Sequence, residues 1–182
     1  LVFHMMTQFC MQVMRRQVGR GKKISHAKLY IVDPKESDLF KHCQVAEFPE
    51  NQYGSTVGDA FRIMREVTVE MERRKKIYSE NKEVFDSTIL GMGEGEPILV
   101  LIDEYPSLVA LMDKKQREDF DKLVGNFARL SRQLSLGIWV IAQQANAESI
   151  PTAIRDNLVG FRAFMGNPSP QSAMMMFEPV SY

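Results

Sequence analysis

The stretch "PILVLIDEYPSL", residues 97–108, constrains the fold more than any other part of this 182-residue chain. Ile98 to Ile102 is an unbroken apolar run with no polar face, so a strand made from it is buried on both sides. Strands of that kind sit in parallel sheets that carry helices on both faces. The run then stops at two acids, Asp103 and Glu104. A strand buried on both faces and ending in paired carboxylates demands either a solvated loop or a site.

The remainder alternates in the way such a sheet requires. Leu1–Val18 reads as a largely buried helix that ends in the polar stretch "RRQVGRGKK". "KLYIVD" (28–33) is a short β-branched and aromatic run closed by the turn "DPK". From Val57 to about Ser79, apolar residues recur at 57, 60, 61, 64, 67, 71 and 78, the spacing of an amphipathic helix. "SENKEVFDS" and "GMGEGE" make a polar, glycine-rich connection to the strand at 98–102. Phe120, Leu123, Val124, Phe127, Leu130 and Leu134 mark one face of a second long helix, with Gly137 where a terminating glycine would stand. "IWVIA" (138–142) is a further strand, and Ser149-Ile150-Pro151 open a short helix. "FRAFM" (161–165) completes the strands, and "NPSPQSAMMMF" turns into a final helix. The expected fold is α/β, mainly parallel, with helices on both faces and one domain spanning 1–182.

Charge and cysteine usage narrow the function classes. Lys plus Arg and Asp plus Glu both total 23, which argues against a broad electrostatic grip on nucleic acid while leaving room for local basic loops. No apolar run approaches the roughly 18 residues of a membrane span. Cys10 and Cys43 lack metal-ligand spacing and read as reduced thiols; His4, His26 and His42 show no such spacing either.

Ligands of open parallel sheets bind beyond the carboxyl ends of the strands. Three strands here end in polar groups: Asp33-Pro34-Lys35, Asp103-Glu104 and Gln143-Gln144. The order suits nucleoside-triphosphate hydrolysis. An Asp can hold Mg²⁺, a Glu can polarise the attacking water, and a Gln on the next strand can sense the terminal phosphate or orient that water. The plainer alternative is that acids simply solvate the loops beginning there.

Absent is the glycine-rich phosphate cradle, GxxxxGK[ST], between a strand and a helix. In "GRGKKIS" (19–25) Lys23 replaces the hydroxyl residue and Arg16 occupies the place of the leading Gly, and "GMGEGE" carries acids that repel phosphate. Leu1–Met14 has the character of the helix that follows such a cradle. The expectation is therefore an N-terminally truncated core, beginning after the cradle and its strand, that by itself neither binds ATP tightly nor hydrolyses it.

"LYIVDPKESDLF", "VEMERRKKIY", "ILVLIDEYPSL", "NFARLSRQLSLGIWVIAQQ" and "IPTAIRDNLVGFRAFMG" resemble, in that order, segments of FtsK/SpoIIIE motor domains over residues 1 to 177. The "IRDNL…FR…MMF" ending is most similar to members carried on conjugative elements of Gram-positive bacteria. The resemblance implies a RecA-like P-loop NTPase core that binds ATP and Mg²⁺, assembles as a ring, usually a hexamer, and moves double-stranded DNA. It implies a cytoplasmic domain tethered to the membrane by a region outside this chain. Carried over, Asp103 is the Walker B metal-binding acid, Glu104 the catalytic glutamate, and Gln144 the glutamine of the "TQRP" motif, while Asp33 and Lys35 match the "DPK" turn; Asp33, Lys35, Asp103 and Gln144 are the expected nucleotide-binding residues, and Glu104, Gln144 and Arg155 the expected catalytic ones. "AQQANA" stands where "ATQRPS" is expected, losing an Arg and a Pro. A protein-export motor of the type VII kind and a non-hydrolysing assembly module remain the alternatives.

Arg155 and Arg162 lie beyond the third strand, where an arginine at a subunit interface can reach a neighbour's terminal phosphate; the plainer alternative is a surface arginine, with Arg162 on the polar face of a strand. The run Arg73-Arg74-Lys75-Lys76 reads as a solvated face at the end of a long helix.

Overall fold

The computed structural model describes residues 2–18, 27–80, 96–143 and 149–158, together with positions 163, 167, 169, 170, 173 and 174. Four strands form one sheet: β1 (Lys28–Val32), β2 (Tyr53–Gly54), β3 (Ile98–Ile102) and β4 (Leu136–Val140), in the order β2-β1-β3-β4. Every pairing is parallel. Val32 pairs with both Gly54 and Ile102, and Ile102 pairs with Val140, so the carboxyl ends are in step.

Alternation along the strands sorts side chains onto two faces. Tyr30, Val32, Ile98, Val100, Ile102 and Leu136 join one core with α3 (Val57–Glu80), α4 (Tyr105–Ala110) and α5 (Lys114–Leu130). Leu29, Ile31, Leu99 and Leu101 join a second, smaller core with α1 (Val2–Val18) and α2 (Asp38–Val45). The sheet is thus covered on both sides, as the apolar run at 98–102 requires. A short helix, α6 (Thr152–Arg155), packs on α5 through the buried Ile154.

Connectivity creates one reversal. The chain goes outward from β1 to β2, returns across β1 to β3, and continues to β4. The crevice between the ends of β1 and β3 is the switch point where open α/β sheets bind ligands.

Several sequence expectations are corrected. Helix α1 is not largely buried: among residues 2–11 only Met6 is buried, and Val2, Phe9 and Cys10 are partly covered on the same stripe. One face against a sheet suffices to hold a surface helix, so the other stays wet. The second long helix ends at Leu130, followed by a tight turn over Arg132–Leu134. The left-handed residue there is Ser135, at φ 57°, and Gly137 lies inside β4 opposite Leu99. Strand β4 accordingly starts two residues earlier than expected. The helices α2 and α4 and the two-residue β2 are additional elements. Arg74, expected on a solvated face, is 5% exposed; the helix turns it inward while Arg73, Lys75 and Lys76 remain at the surface. The expected strand at 161–165 and most of the final helix fall outside the described residues.

Candidate functional site

The first polar residues after β1 and β3 stand side by side. Asp33 N–H donates to Gly54 O at 3.0 Å, and Asp103 N–H donates to Val32 O at 2.8 Å, so the ladder runs one residue past the strands. On the other side, Ile141 N–H donates to Ile102 O at 3.0 Å, and Tyr105 N–H to Ile141 O at 2.9 Å. Asp33, Asp103 and Glu104 therefore lie on one rim at the switch point.

Asp33 is wholly buried. Its Oδ1 accepts from the Lys35 N–H at 3.1 Å, closing the local turn that Asp favours before Pro-Lys. Its Oδ2 accepts from Ser37 N–H at 2.9 Å, Ser37 Oγ at 2.8 Å and Phe40 N–H at 3.2 Å, satisfying backbone donors where α2 begins. The chain then needs Glu36 at φ 49° to pass into that helix.

Asp103 is half-buried, and its carboxyl is held above the usual Asp range. Burial is the main cause, followed by the negative charges of Asp33 and Glu104; a hydrogen bond from the Glu104 N–H and the charge of Lys35 act in the opposite sense. A cation at this carboxylate would remove the penalty.

Glu104 occupies the left-handed region, at φ 48° and ψ 57°, an uncommon conformation for a residue with a Cβ. Its side chain is 12% exposed. Oε2 lies 3.2 Å from Lys35 Nζ, and Oε1 accepts from the Gln143 N–H at 3.4 Å. The residue thus bridges the strands on both sides of its own. Below it, Tyr105 is buried against Phe120 and its hydroxyl donates to Asp121, which anchors α4 to α5. Burial, and then that carboxylate, push the phenol far above its ordinary value.

Of the residues singled out from the sequence, Asp33, Lys35, Asp103 and Glu104 converge. Gln144 and Arg162 lie outside the described residues. Arg155 is the half-buried last residue of α6. Sequence reasoning missed the Lys35–Glu104 pair, because 69 residues separate its members, and the work of Ser37. The Asp-Pro-Lys-x-Ser spacing carried a signal for the latter, since such a turn places several donors around one carboxylate.

An open cleft of about 430 Å³ lies at the opposite end of the sheet, lined by the first residues of β1 and β3 and by Glu66, Glu70 and Arg73 of α3. Most of its charges are matched within its own walls: Lys28 with Glu66 at 3.6 Å, and Glu70 with Arg73 and Arg74, both at 2.7 Å. It is separate from the acidic rim.

A parallel sheet with this strand order, carrying an Asp-Glu pair at the switch point, is a fold this chain shares with solved structures of conjugation and ATPase proteins. Solved structures that share it include the pCW3 conjugation coupling protein TcpA, in its monomer form with ATPgS, at a TM-score of 0.62 and 21% identity, over 83% of this chain and 44% of that one. Another is Thermomonospora curvata EccC (ATPases 2 and 3) in complex with a signal sequence peptide, at 0.55 and 16%, over 81% and 27%. The FtsK domain-containing protein YdcQ of Bacillus subtilis (strain 168) is 28% identical over 176 residues, which is 96% of this chain and 34% of that protein. The chain is thus a homologue of an FtsK domain-containing protein and spans about a third of that relative's length. No protein-family model matches it. Among the described residues, no helix is long and apolar enough to cross a membrane.

Proposed function

We propose that this chain is the core of an ATP-hydrolysing motor that moves double-stranded DNA, serving conjugative transfer or DNA partitioning. The observation that carries the proposal is the Asp103–Glu104 pair at the carboxyl end of a central strand, facing the switch point. Asp103 would hold Mg²⁺. That ion takes one or two carboxylates and fills its other positions with water and phosphate oxygens, so the rim needs no cage of three acids; among the described residues there is none. When bound, Mg²⁺ neutralises charge building on the phosphates. Glu104 would accept the proton of the attacking water, Gln144 would orient that water, and Arg155 would serve a neighbouring subunit. Asp33 acts at one remove, by fixing the turn that carries Lys35. The sequence holds no phosphate cradle, so the chemistry requires the intact protein.

Support for DNA as the cargo comes from the resemblance of the "DPK" and "IRDN" segments and from the fold shared with a conjugation coupling protein. A second reading, protein export, is favoured by the fold shared with EccC, whose structure holds a signal sequence peptide. Ring assembly and a membrane tether outside these residues accompany either reading. In the intact protein, Glu104→Gln is expected to lower steady-state ATP turnover by about 100-fold or more while nucleotide still binds. Duplex DNA, and not signal peptide, is expected to stimulate the unmodified protein. Normal turnover in Glu104→Gln removes the assigned role. Stimulation by peptide alone moves the cargo to polypeptide, and no hydrolysis under any condition leaves an assembly module.

A further inference from the structure

We infer that Lys35 is a latch on Glu104: it holds the carboxylate away from water while the site is empty and lets go when a phosphate group competes for its ammonium. The inference rests on the motor reading of the rim and adds its regulation.

Both oxygens of Glu104 are engaged. Lys35 Nζ lies 3.2 Å from Oε2 and the Gln143 N–H 3.4 Å from Oε1. Those oxygens are the ones that would receive a proton from water. The two halves of the clamp differ in kind. Gln143 offers a backbone N–H just past β4, in the segment that leads to Gln144. Lys35 offers an exposed head on a fixed base: its backbone N–H is tied to the buried Asp33, while its side chain is 47% exposed at the end of a flexible four-carbon stem. An ammonium of this kind is a compact charge that trades one anion for another readily. Glu104 is the more enclosed partner, and its left-handed backbone aims it between the neighbouring strand ends. A nucleotide's terminal phosphate carries more negative charge than one carboxylate, and a DNA backbone presents a row of single charges, so the arrival of either draws Lys35 across and exposes Glu104. Lys35 is in this sense a positioning residue.

The test uses the intact protein with Lys35→Met, Lys35→Arg, Glu104→Gln and the double variant Lys35→Met/Glu104→Gln. Without ligand, Lys35→Met is expected to lower the melting temperature by about 2 °C, and to do nothing further in the Glu104→Gln background. Additive losses would overturn the pairing. The source of the phosphate is read from the same cycle, with Mg-ATPgS in one arm and duplex DNA in the other. The coupling is expected to vanish in whichever arm supplies it, and coupling that survives both overturns release. Turnover is the second readout. Lys35→Met is expected to raise unstimulated kcat several-fold and flatten stimulation, whereas Lys35→Arg keeps the behaviour of the parent. A tenfold fall in unstimulated kcat would instead mean that Lys35 supports turnover rather than restraining it, and would sink the latch. If the parent protein hydrolyses no ATP, the motor reading fails, while the melting cycle still reports on the pair.

Discussion

Asp33 and Asp103 occupy equivalent positions, one residue past the paired Val32 and Ile102, yet their carboxylates have opposite employment. Asp33 is sealed and accepts four hydrogen bonds from its own turn and α2. Asp103 is half-open and electrostatically penalised. The difference follows from what comes next in sequence: Pro-Lys-Glu-Ser curls Lys35 and Ser37 around Asp33, with Phe40 behind them, whereas Glu104 adds a second negative charge beside Asp103.

Asp33→Ala should therefore damage the fold before it damages chemistry. It strands the N–H groups of Ser37 and Phe40 in a half-buried place and frees the base of Lys35. A loss of about 3 kcal/mol is expected from orphaned donors. Urea denaturation of the variant checks it, and a loss below about 0.5 kcal/mol would mean that water replaces the carboxylate.

Asp103→Asn should do the reverse, and with a pH signature. Because the folded chain raises the pKa of Asp103, its contribution to stability is fullest below the ordinary Asp value, and it declines as pH rises through the raised folded value. Asparagine carries no such loss. The ligand-free variant is expected to melt higher than the parent at neutral pH, by roughly 3 °C for a gain of about 1 kcal/mol. The gap should close below about pH 4, near the ordinary Asp pKa. Melting curves across that range decide it; a gap that widened toward acid would reverse the sign of the argument.

What the sequence made legible is tied to pattern length. The uninterrupted run Ile98–Ile102 could only be a doubly covered strand, and the repeat from Val57 to Tyr78 could only be a helix with one apolar face. Two-residue β2 has no pattern to read, and α2 and α4, of 8 and 6 residues, are too short for a clear period. Ser135 took the left-handed position expected of Gly137, because the tight turn at Arg132–Leu134 ends the helical segment two residues sooner. At the site, the identities and order of Asp33, Asp103 and Glu104 were readable. The Lys35–Glu104 contact was not, since strand order brings it about.

Arg74 illustrates a charge that composition misreads. In "ERRKK" it looks like its neighbours, but helical phase points it inward, where it donates to Leu134 O at 2.9 Å, Glu96 O at 2.6 Å and Glu70 at 2.7 Å. It fastens α3 to the approaches of β3 and β4. Arg74→Met keeps the volume and removes the donors, and a loss of about 3 kcal/mol is expected, near 10 °C in melting temperature. Glu70 should report the same network in acid. Arg73 and Arg74 hold its carboxyl down to about 2, against the opposing effect of burial. Its contribution is therefore complete above about pH 4.5 and disappears as pH falls toward 2. Glu70→Gln should flatten that part of the acid denaturation curve, followed by circular dichroism; an unchanged curve would remove Glu70 from the account.

Gly54 controls how closely α3 approaches the sheet edge. A Cβ there would lie 2.3 Å from Asp59 Cβ and 2.4 Å from its Cγ, closer than atoms can sit. Asp59 cannot simply move aside. Its carboxylate accepts from the Thr56 N–H at 3.2 Å and Thr56 Oγ1 at 2.6 Å, while its own N–H donates to Thr56 Oγ1 at 3.1 Å, so the pair caps α3. It also holds Arg62 at 3.1 Å, which in turn donates to Asn51 O at 2.6 Å and Tyr53 O at 3.1 Å. Gly54→Ala must push the start of α3 outward and loosen β2 with it. A cost of about 2 kcal/mol is expected, as for other overpacked positions, with melting lowered by roughly 6 °C. The clash predicts non-additivity. Asp59→Gly alone should destabilise through the lost cap, but in the Gly54→Ala background it removes the obstructing atoms, so the double variant should be more stable than the sum of the singles. Strict additivity in thermal melts would place the cost of Gly54→Ala somewhere other than this contact.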